Sequence, residues 1–207
     1  MDQQLNDQIT TLIQVHDAVE GRWLEEVVKT NLSLINFNKK QIKHIDTDLS
    51  ILEYIYKYRN FLAKFASNIN LVLALSDIQR TRVKEVLSIS GKIRRMGANT
   101  SVGNGSVPIN KVLNDLYGAR VIREEDFDYD CLTQEIKETY GDRVKVINSC
   151  NEAGYKAVHV YFREKRGHFP WELQIWRKSD EDNNIALHKE YKRDYINELK
   201  ELGNLER

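Results

Sequence analysis

Apolar residues recur at helical spacing through the first 70 residues. Leu5, Ile9, Leu12, Ile13 and His16 share one stripe, and Trp23, Val27, Leu34 and Ile35 continue on a second predicted segment, with Gly21 as the break. The stretch NFNKKQIKHID interrupts the pattern. A third helix is predicted from about Thr47 to Phe65, with Ile51, Ile55, Tyr58, Leu62 and Phe65 inward. The pattern then changes. A short strand is expected over 78–82, a helix over 85–96, and a short helix before Asp115. A strand follows Gly118 with Val121 facing opposite Arg120 and Ile122, and an amphipathic helix is stopped by Gly141. Residues 143–177 read as three strands of period two. Val144 and Val146 alternate with polar neighbours, Lys156, Val158, Val160 and Phe162 share a face, and so do Leu173 and Ile175. The opposite faces gather Tyr155, Ala157 and His159 from one strand and Glu172 and Gln174 from the next, a set able to floor a pocket. A last helix from about residue 182 carries His188, Tyr191, Lys192 and Tyr195. This order predicts an α+β fold, a sheet with helices packed on it. It divides the chain into a helical region, 1–70, and a sheet-bearing domain, 71–207.

Composition narrows the classes. Lys+Arg and Asp+Glu are equal at 31 each in 207 residues, so only a local basic patch can argue for nucleic acid. No apolar run approaches about 18 residues, so no membrane span is expected. The start, MDQQLNDQ, lacks the pattern of a secretory signal. Cys131 and Cys150 have no CxxC spacing and read as two unpaired thiols of a cytoplasmic protein. The five histidines show no zinc spacing, and His16-Asp17 reads as a structural pair.

Arg82, Lys84, Ser88 and Lys92 line up at the start of the helix after the first strand, with the lysines and serine four residues apart. Such a row offers donors suited to a polyphosphate. The loop GANTSVGNGSV is neither a P-loop nor a dinucleotide fingerprint and reads as a mobile surface loop. Asp115 precedes one strand and Glu172 lies in a later one. Two acids at the same end of a sheet, opposite a basic helix face, are how a magnesium–triphosphate site is assembled. The metal would neutralise charge on the transferred group while Lys and Arg hold the phosphates, and a neighbouring carboxylate would serve as base to an attacking hydroxyl.

The ordered set Arg82-x-Lys84, Ser88-Ile89-x-x-Lys92, Asp115-Leu-x-Gly118-x-Arg120-Val-Ile, Gly154-Tyr155-x-x-x-His159, Glu172-Leu-Gln174-Ile175 and His188-x-x-Tyr191-Lys192 resembles the synthetase domain of the RelA/SpoT family. The resemblance covers roughly residues 75–195. It implies a nucleotidyltransferase-like mixed sheet flanked by helices, and transfer of the β,γ-pyrophosphate of ATP to a ribose 3′-hydroxyl. It implies that Arg82, Lys84, Lys92 and Arg120 bind ATP with Ser88 nearby, that Asp115 and Glu172 hold magnesium, and that Glu172 activates the acceptor hydroxyl. Tyr155 would stack on the acceptor base, with His159 and Gln174 beside the acceptor. The resemblance implies the architecture of a small, stand-alone alarmone synthetase.

Two departures bear on the acceptor. Where guanosine-specific members carry Lys-x-Asn before Gly-Tyr, this chain has Asn151, Glu152 and Ala153, and where they carry Arg-Thr after Glu-x-Gln-Ile it has Trp176-Arg177. Alternation turns Arg177 to the opposite face. The resemblance therefore leans to the toxic small alarmone synthetases, some of which pyrophosphorylate the 3′-CCA end of tRNA, with an antitoxin protein as the partner implied. Lys39, Lys40 and Lys43 would then track the tRNA backbone. The alternative is a (p)ppGpp synthetase acting on GDP or GTP. Outside the enzymes, a catalytically silent nucleotide- or RNA-binding module stays open, but it has no need of paired metal carboxylates.

Overall fold

The computed structural model describes residues 1–190 apart from 46, 79, 101–102 and 164–167. Tyr191, Lys192 and Tyr195 lie outside the described residues. The helices are α1 (Gln3–Lys29), α2 (Leu49–Ala74), α3 (Val86–Ala98), α4 (Ile109–Val112), α5 (Tyr129–Tyr140) and α6 over 181–190. The strands are β1 (Arg80–Val83), β2 (Tyr117–Arg123), β3 (Val144–Asn148), β4 (Val158–Phe162) and β5 (Trp171–Arg177).

The expected break at Gly21 does not occur. A helix-interior glycine costs only about 1 kcal/mol, and Gly21 faces open space. Burial of Val19, Trp23 and Val27 on the same stripe as Leu5, Ile9 and Leu12 outweighs that cost. Asp2 caps α1 by accepting from the Leu5 amide at 2.9 Å. Leu34 and Ile35 are not helical; they lie half-buried in the connection after α1. The second long helix runs past Phe65 to Ala74 because Ile69 and Leu73 extend its buried stripe, so it crosses residue 70. One apolar cluster joins α1 and α2 to the sheet.

The sheet order is β1-β2-β5-β4-β3, with β2 and β5 parallel and the other pairs antiparallel. Joining parallel strands needs a long crossover, and α5, β3 and β4 supply it. One face carries Ala119, Leu173, Val160 and Val146 across the strands, with Tyr117, Trp171, Phe162 and Val144 beside them. That face is buried in the common core with α1, α2 and α5. Trp171 is its centre: its Nε1 donates to the Tyr58 hydroxyl of α2 at 3.3 Å, and its ring lies 4.2 Å from that of Tyr117. Gly141, at φ +50°, ends α5 as expected.

The His16-Asp17 pair has company. Glu20 follows one turn later and His168 arrives from the segment before β5, and the Glu20 Oε1 lies 3.5 Å from His16 Nε2 and 3.4 Å from His168 Nδ1. All three side chains are buried, so this polar contact ties α1 to the start of β5 inside the core.

Candidate active site

The face of the sheet away from α1 and α2 is polar. Strand register sets Arg80, Arg120, Gln174 and His159 in one row across it, and Arg82, Gly118, Glu172 and Tyr161 in the next. Period-two alternation alone puts each side chain on this face; pairing brings four strands of them together.

Asp115 sits where the chain enters β2, only 6% exposed, with three cations on its carboxylate. Lys84 Nζ donates to Oδ2 at 2.5 Å, Lys92 Nζ to Oδ1 at 3.0 Å, and Arg82 Nη2 lies 3.4 Å from Oδ2. Burial alone pushes this carboxyl up, but the charges of Lys92, Lys84 and Arg82 outweigh it and hold the group well below the usual carboxylate range. Burial lowers the Lys84 ammonium despite its contact with Asp115. Lys84 lies in the connection between β1 and α3, not on the helix. The four-residue spacing of Lys84, Ser88 and Lys92 is therefore not one helical face. Lys84 and Lys92 meet because the Lys84 amide bonds the Leu116 carbonyl at 2.9 Å while α3 returns Lys92 toward Asn114 and Asp115. Ser88, half-buried in the first turn of α3, makes no bond to this group among the described residues.

Glu172 is the second acid, 5% exposed. Its Oε1 accepts from the Tyr161 hydroxyl at 3.1 Å and lies 3.1 Å from His159 Nδ1, and its Oε2 accepts from Gln174 Nε2 at 2.9 Å. Burial pushes the Glu172 carboxyl up, Asp115 adds to that, and the hydrogen bond and charge of His159 bring it below its ordinary value. The charge of Asp115 thus reaches Glu172. Tyr155, in the turn before β4, shares a 2.9 Å hydrogen bond between its hydroxyl and His159 Nε2. Burial pushes its phenol up to about 12, and burial together with Glu172 raises that of Tyr161, so both hydroxyls keep their protons. Arg120 donates to Gln174 Oε1 at 3.0 Å and stacks its guanidinium 3.5 Å over the ring of Trp176. His188 of α6 stacks on the same indole, with centroids 5.6 Å apart.

A cavity of about 300 Å³ lined by Arg80, Arg82, Gly118, Arg120, Glu172 and Gln174 opens on this face. Another of about 350 Å³ adjoins it across Arg80 and Arg120 and reaches Arg123 and Lys178.

The sequence-predicted residues divide cleanly. Arg82, Lys84, Lys92 and Asp115 converge, and so do Arg120, Tyr155, His159, Glu172 and Gln174. Tyr161 was missed and Trp176 was read only as a departure from the family pattern, although alternation with His159 and with Glu172 and Gln174 places them on the same face. Arg177 does turn away, donating to Asp180 at 2.7 Å and stacking on Tyr129. Lys39, Lys40 and Lys43 lie on the connection between α1 and α2. There the amides of Ile42 and Lys43 bond the carbonyls of Val107 and Gly105, and the Ile109 amide bonds the Lys40 carbonyl, at 2.9–3.1 Å. The end of the glycine-rich loop and the residues after it, 105–109, are thus bonded to this connection. Gly105 is required there: its φ is +79°, and a Cβ would come 3.1 Å from the Lys43 amide nitrogen. Lys40 pairs with Asp48 at 3.2 Å, Lys43 donates to Ser106 at 3.1 Å, and Lys39 is exposed.

A hard divalent cation suits this donor set. Magnesium takes one or two carboxylates plus phosphate oxygens and water, and Asp115 and Glu172 are two buried carboxylates close enough for the charge of one to bear on the other, with cations at hand for the phosphates.

A family model described as the region found in RelA / SpoT proteins matches residues 81–196, more than half of the chain. The chain belongs to the RelA/SpoT family. Among solved structures, it is similar to the small alarmone synthetase 1 from Bacillus subtilis, at 22% identity over 67% of this chain and 81% of that one, TM-score 0.42. The same protein bound to its product pppGpp matches at 22% identity over 71% and 82%, TM-score 0.41. The small alarmone synthetase 2 from Bacillus subtilis matches at 17% over 72% and 81%, TM-score 0.37. No curated protein matches the chain. Among the described residues no helix is long and apolar enough to cross a membrane.

Proposed function

We propose that the protein is a magnesium-dependent pyrophosphokinase that moves the β,γ-pyrophosphate of ATP to a ribose 3′-hydroxyl. One observation carries this reading: two buried acids lie within reach of each other's charge, Glu172 lining the cavity together with Arg82, and Asp115 holding Arg82, Lys84 and Lys92 on its carboxylate. Phosphoryl-type transfer asks a protein mainly for positioning and charge neutralisation. Lys84, Lys92 and Arg82 would move from Asp115 to the ATP phosphates, freeing its oxygens for the metal. Bound magnesium would neutralise charge on the transferred group. Glu172 would take the proton of the acceptor hydroxyl, and Tyr155 would face the acceptor base.

The acceptor we favour is the 3′ end of tRNA. The acceptor side has an exposed acid, Glu152, in its turn, and an indole closed in by Arg120 and His188 where a cation would serve a free nucleotide. Lys39 and Lys43, exposed beside the glycine-rich loop, suit a phosphate backbone, whose contacts add affinity without reading sequence. A toxin of this kind would need a neutralising protein partner. The exposed free thiols Cys131 and Cys150 fit a reducing, cytoplasmic setting. The row Arg80, Arg82 and Arg120 along the cavity favours a second acceptor class, a guanosine di- or triphosphate.

The test is incubation with magnesium and ATP labelled in the β- and γ-phosphates, with GDP, GTP or deacylated tRNA as acceptor. Wild type should label one acceptor, and Asp115→Asn and Glu172→Gln should each label none while keeping the native circular dichroism. Normal turnover in either variant would remove the two-carboxylate reading. Label on GDP or GTP alone would replace the tRNA assignment.

A further inference from the structure

We propose that His16, Glu20 and His168 form a buried zinc site that joins α1 to the segment entering β5. The proposal does not rest on the pyrophosphokinase reading above. His16 packs on Trp171 and Phe162, on the face of the sheet turned away from Glu172.

The ligands come from two places in the chain. His16 and Glu20 stand four residues apart on α1, so one helical turn sets both side chains on one face. His168 precedes β5, and that strand's Trp171 packs edge-on against His16, with ring centroids 5.2 Å apart. Glu20 Oε1 then lies 3.5 Å from His16 Nε2 and 3.4 Å from His168 Nδ1. Both separations exceed the roughly 2.7–3.2 Å of a hydrogen bond from nitrogen to oxygen. They match instead the edge of a tetrahedron, about 3.3 Å long when a central zinc makes bonds of about 2.0–2.1 Å. The carboxylate oxygen thus stands one tetrahedral edge from each of two imidazole nitrogens. Imidazoles with a carboxylate suit zinc and its neighbours in the transition series, whereas magnesium keeps to oxygen. Sequence spacing gives no sign of the site, because His168 joins the pair on α1 only through the tertiary fold.

Burial and charge point the same way. None of the three residues is more than 3% exposed. A buried carboxylate is stable only with positive charge against it, and a metal ion held between Glu20 and two neutral rings supplies that charge. Asp17 Oδ1 lies 3.7 Å from His16 Nδ1, the other nitrogen of that ring, and Arg143 holds Asp17 at 2.7 Å. A carboxylate behind a ligating imidazole is its usual outer partner, fixing the ring's tautomer and orientation. With three protein ligands, the fourth position is left to water. The aromatic rings of Trp171 and Phe162 beside His16 keep the surroundings apolar. The work of the metal is therefore structural: it pins the first helix to the strand that carries Glu172.

The test uses the full chain, stripped of metal by a chelator in denaturant and refolded with zinc, with cobalt or with chelator alone. Zinc should bind at one ion per chain, and cobalt in its place should give the intense visible bands of a tetrahedral ion. Cobalt at Asp115 and Glu172, among oxygen donors and water, would be six-coordinate and absorb weakly, so Asp115→Asn with Glu172→Gln should leave the bands unchanged. Zinc at about 100 times its Kd should raise the melting temperature by about 5–10 °C over the chelator sample. Glu20→Gln keeps the shape of the side chain and its hydrogen-bonding capacity but not its charge, and should weaken zinc binding by at least about tenfold. His168→Phe should abolish the bands; if that variant does not fold, the wild-type spectrum and Glu20→Gln decide the matter. Wild type that binds no zinc, or that melts at the same temperature in zinc and in chelator, would overturn the site and leave Glu20 as a polar contact between two histidines. Zinc affinity unchanged in Glu20→Gln would place the metal elsewhere and overturn it too.

Discussion

Gly118 separates Arg82 on one neighbouring strand from Glu172 on the other, and its missing side chain leaves the floor of the cavity open between cation and acid. A Cβ there would meet Arg82 Nε at 3.5 Å, an ordinary contact, so the position tolerates alanine sterically. Valine suits a strand but would project two methyls into the space a substrate needs. Gly118→Val should therefore leave thermal stability nearly unchanged and raise KM at least about tenfold, since a mismatch of a methylene or so is worth about 1–3 kcal/mol. Steady-state kinetics beside a melting curve checks it, and a collapsed melting temperature with unchanged KM would contradict it. The same scale explains why Asp115 is so strongly ionised. Three cations around one buried carboxylate are tolerable only while that charge, or a substrate's, is present.

At the scale of elements, α6 docks through a stack, with Arg120 and His188 both on Trp176, through Asn184 on the Lys156 backbone and through Glu181 on Arg80 of β1. Burial, with the charges of Arg120 and Arg82, pushes the His188 imidazole down to about 4. A histidine with a folded value below its unfolded 6.5 is protonated more readily once released. Its contribution to docking is therefore complete above about pH 6.5 and is lost as pH falls toward 4. Hydrogen exchange over 181–190 should quicken across that window in wild type, and His188→Phe should remove the part of the change that begins near pH 6.5. Identical pH dependence in the two proteins would show that carboxylates elsewhere govern the docking. The clasp between 40–43 and 105–109 is the other element-level device: backbone bonds, with Lys43 on Ser106, fix the basic connection against the glycine-rich loop without Lys39, so charge changes at Lys39 leave its geometry intact.

For the molecule as a whole, β5 is the shared member. Its inward residue Trp171 touches His16 of α1, Tyr58 of α2 and Tyr117 of β2, while Glu172, next in the chain, points into the site. Stability and activity are therefore coupled through adjacent residues of one strand. Trp171→Ala should cost about 3–5 kcal/mol, the usual penalty for emptying a large aromatic site, read as a lower urea midpoint. A loss under 1 kcal/mol would mean that the core closes over the gap, and that the helices do not depend on this contact.

Much of this was legible in the chain itself. Period-two alternation assigned Glu172 and Gln174 to one face and Leu173 and Ile175 to the other, helical spacing found the buried stripes of α1 and α2, and Gly141 marked the end of α5. Those features are local: one chain segment and water suffice to decide which side is buried. The sequence also singled out Asp115, Lys84 and Lys92, because a basic row and two acids at one end of a sheet suit a polyphosphate and its metal. What it could not determine was any relation set by packing between distant segments. The stripe running through Gly21 prevails over that residue's helix propensity because Trp23 has Tyr54, Tyr58 and Phe61 to pack on, all on another helix. The same holds for the strand order that sets Tyr161 opposite Glu172, for the turn that brings Lys84 and Lys92 to one carboxylate, and for the meeting of His168 with His16 and Glu20. Each depends on which surfaces bury best against each other, and only the assembled tertiary structure decides that.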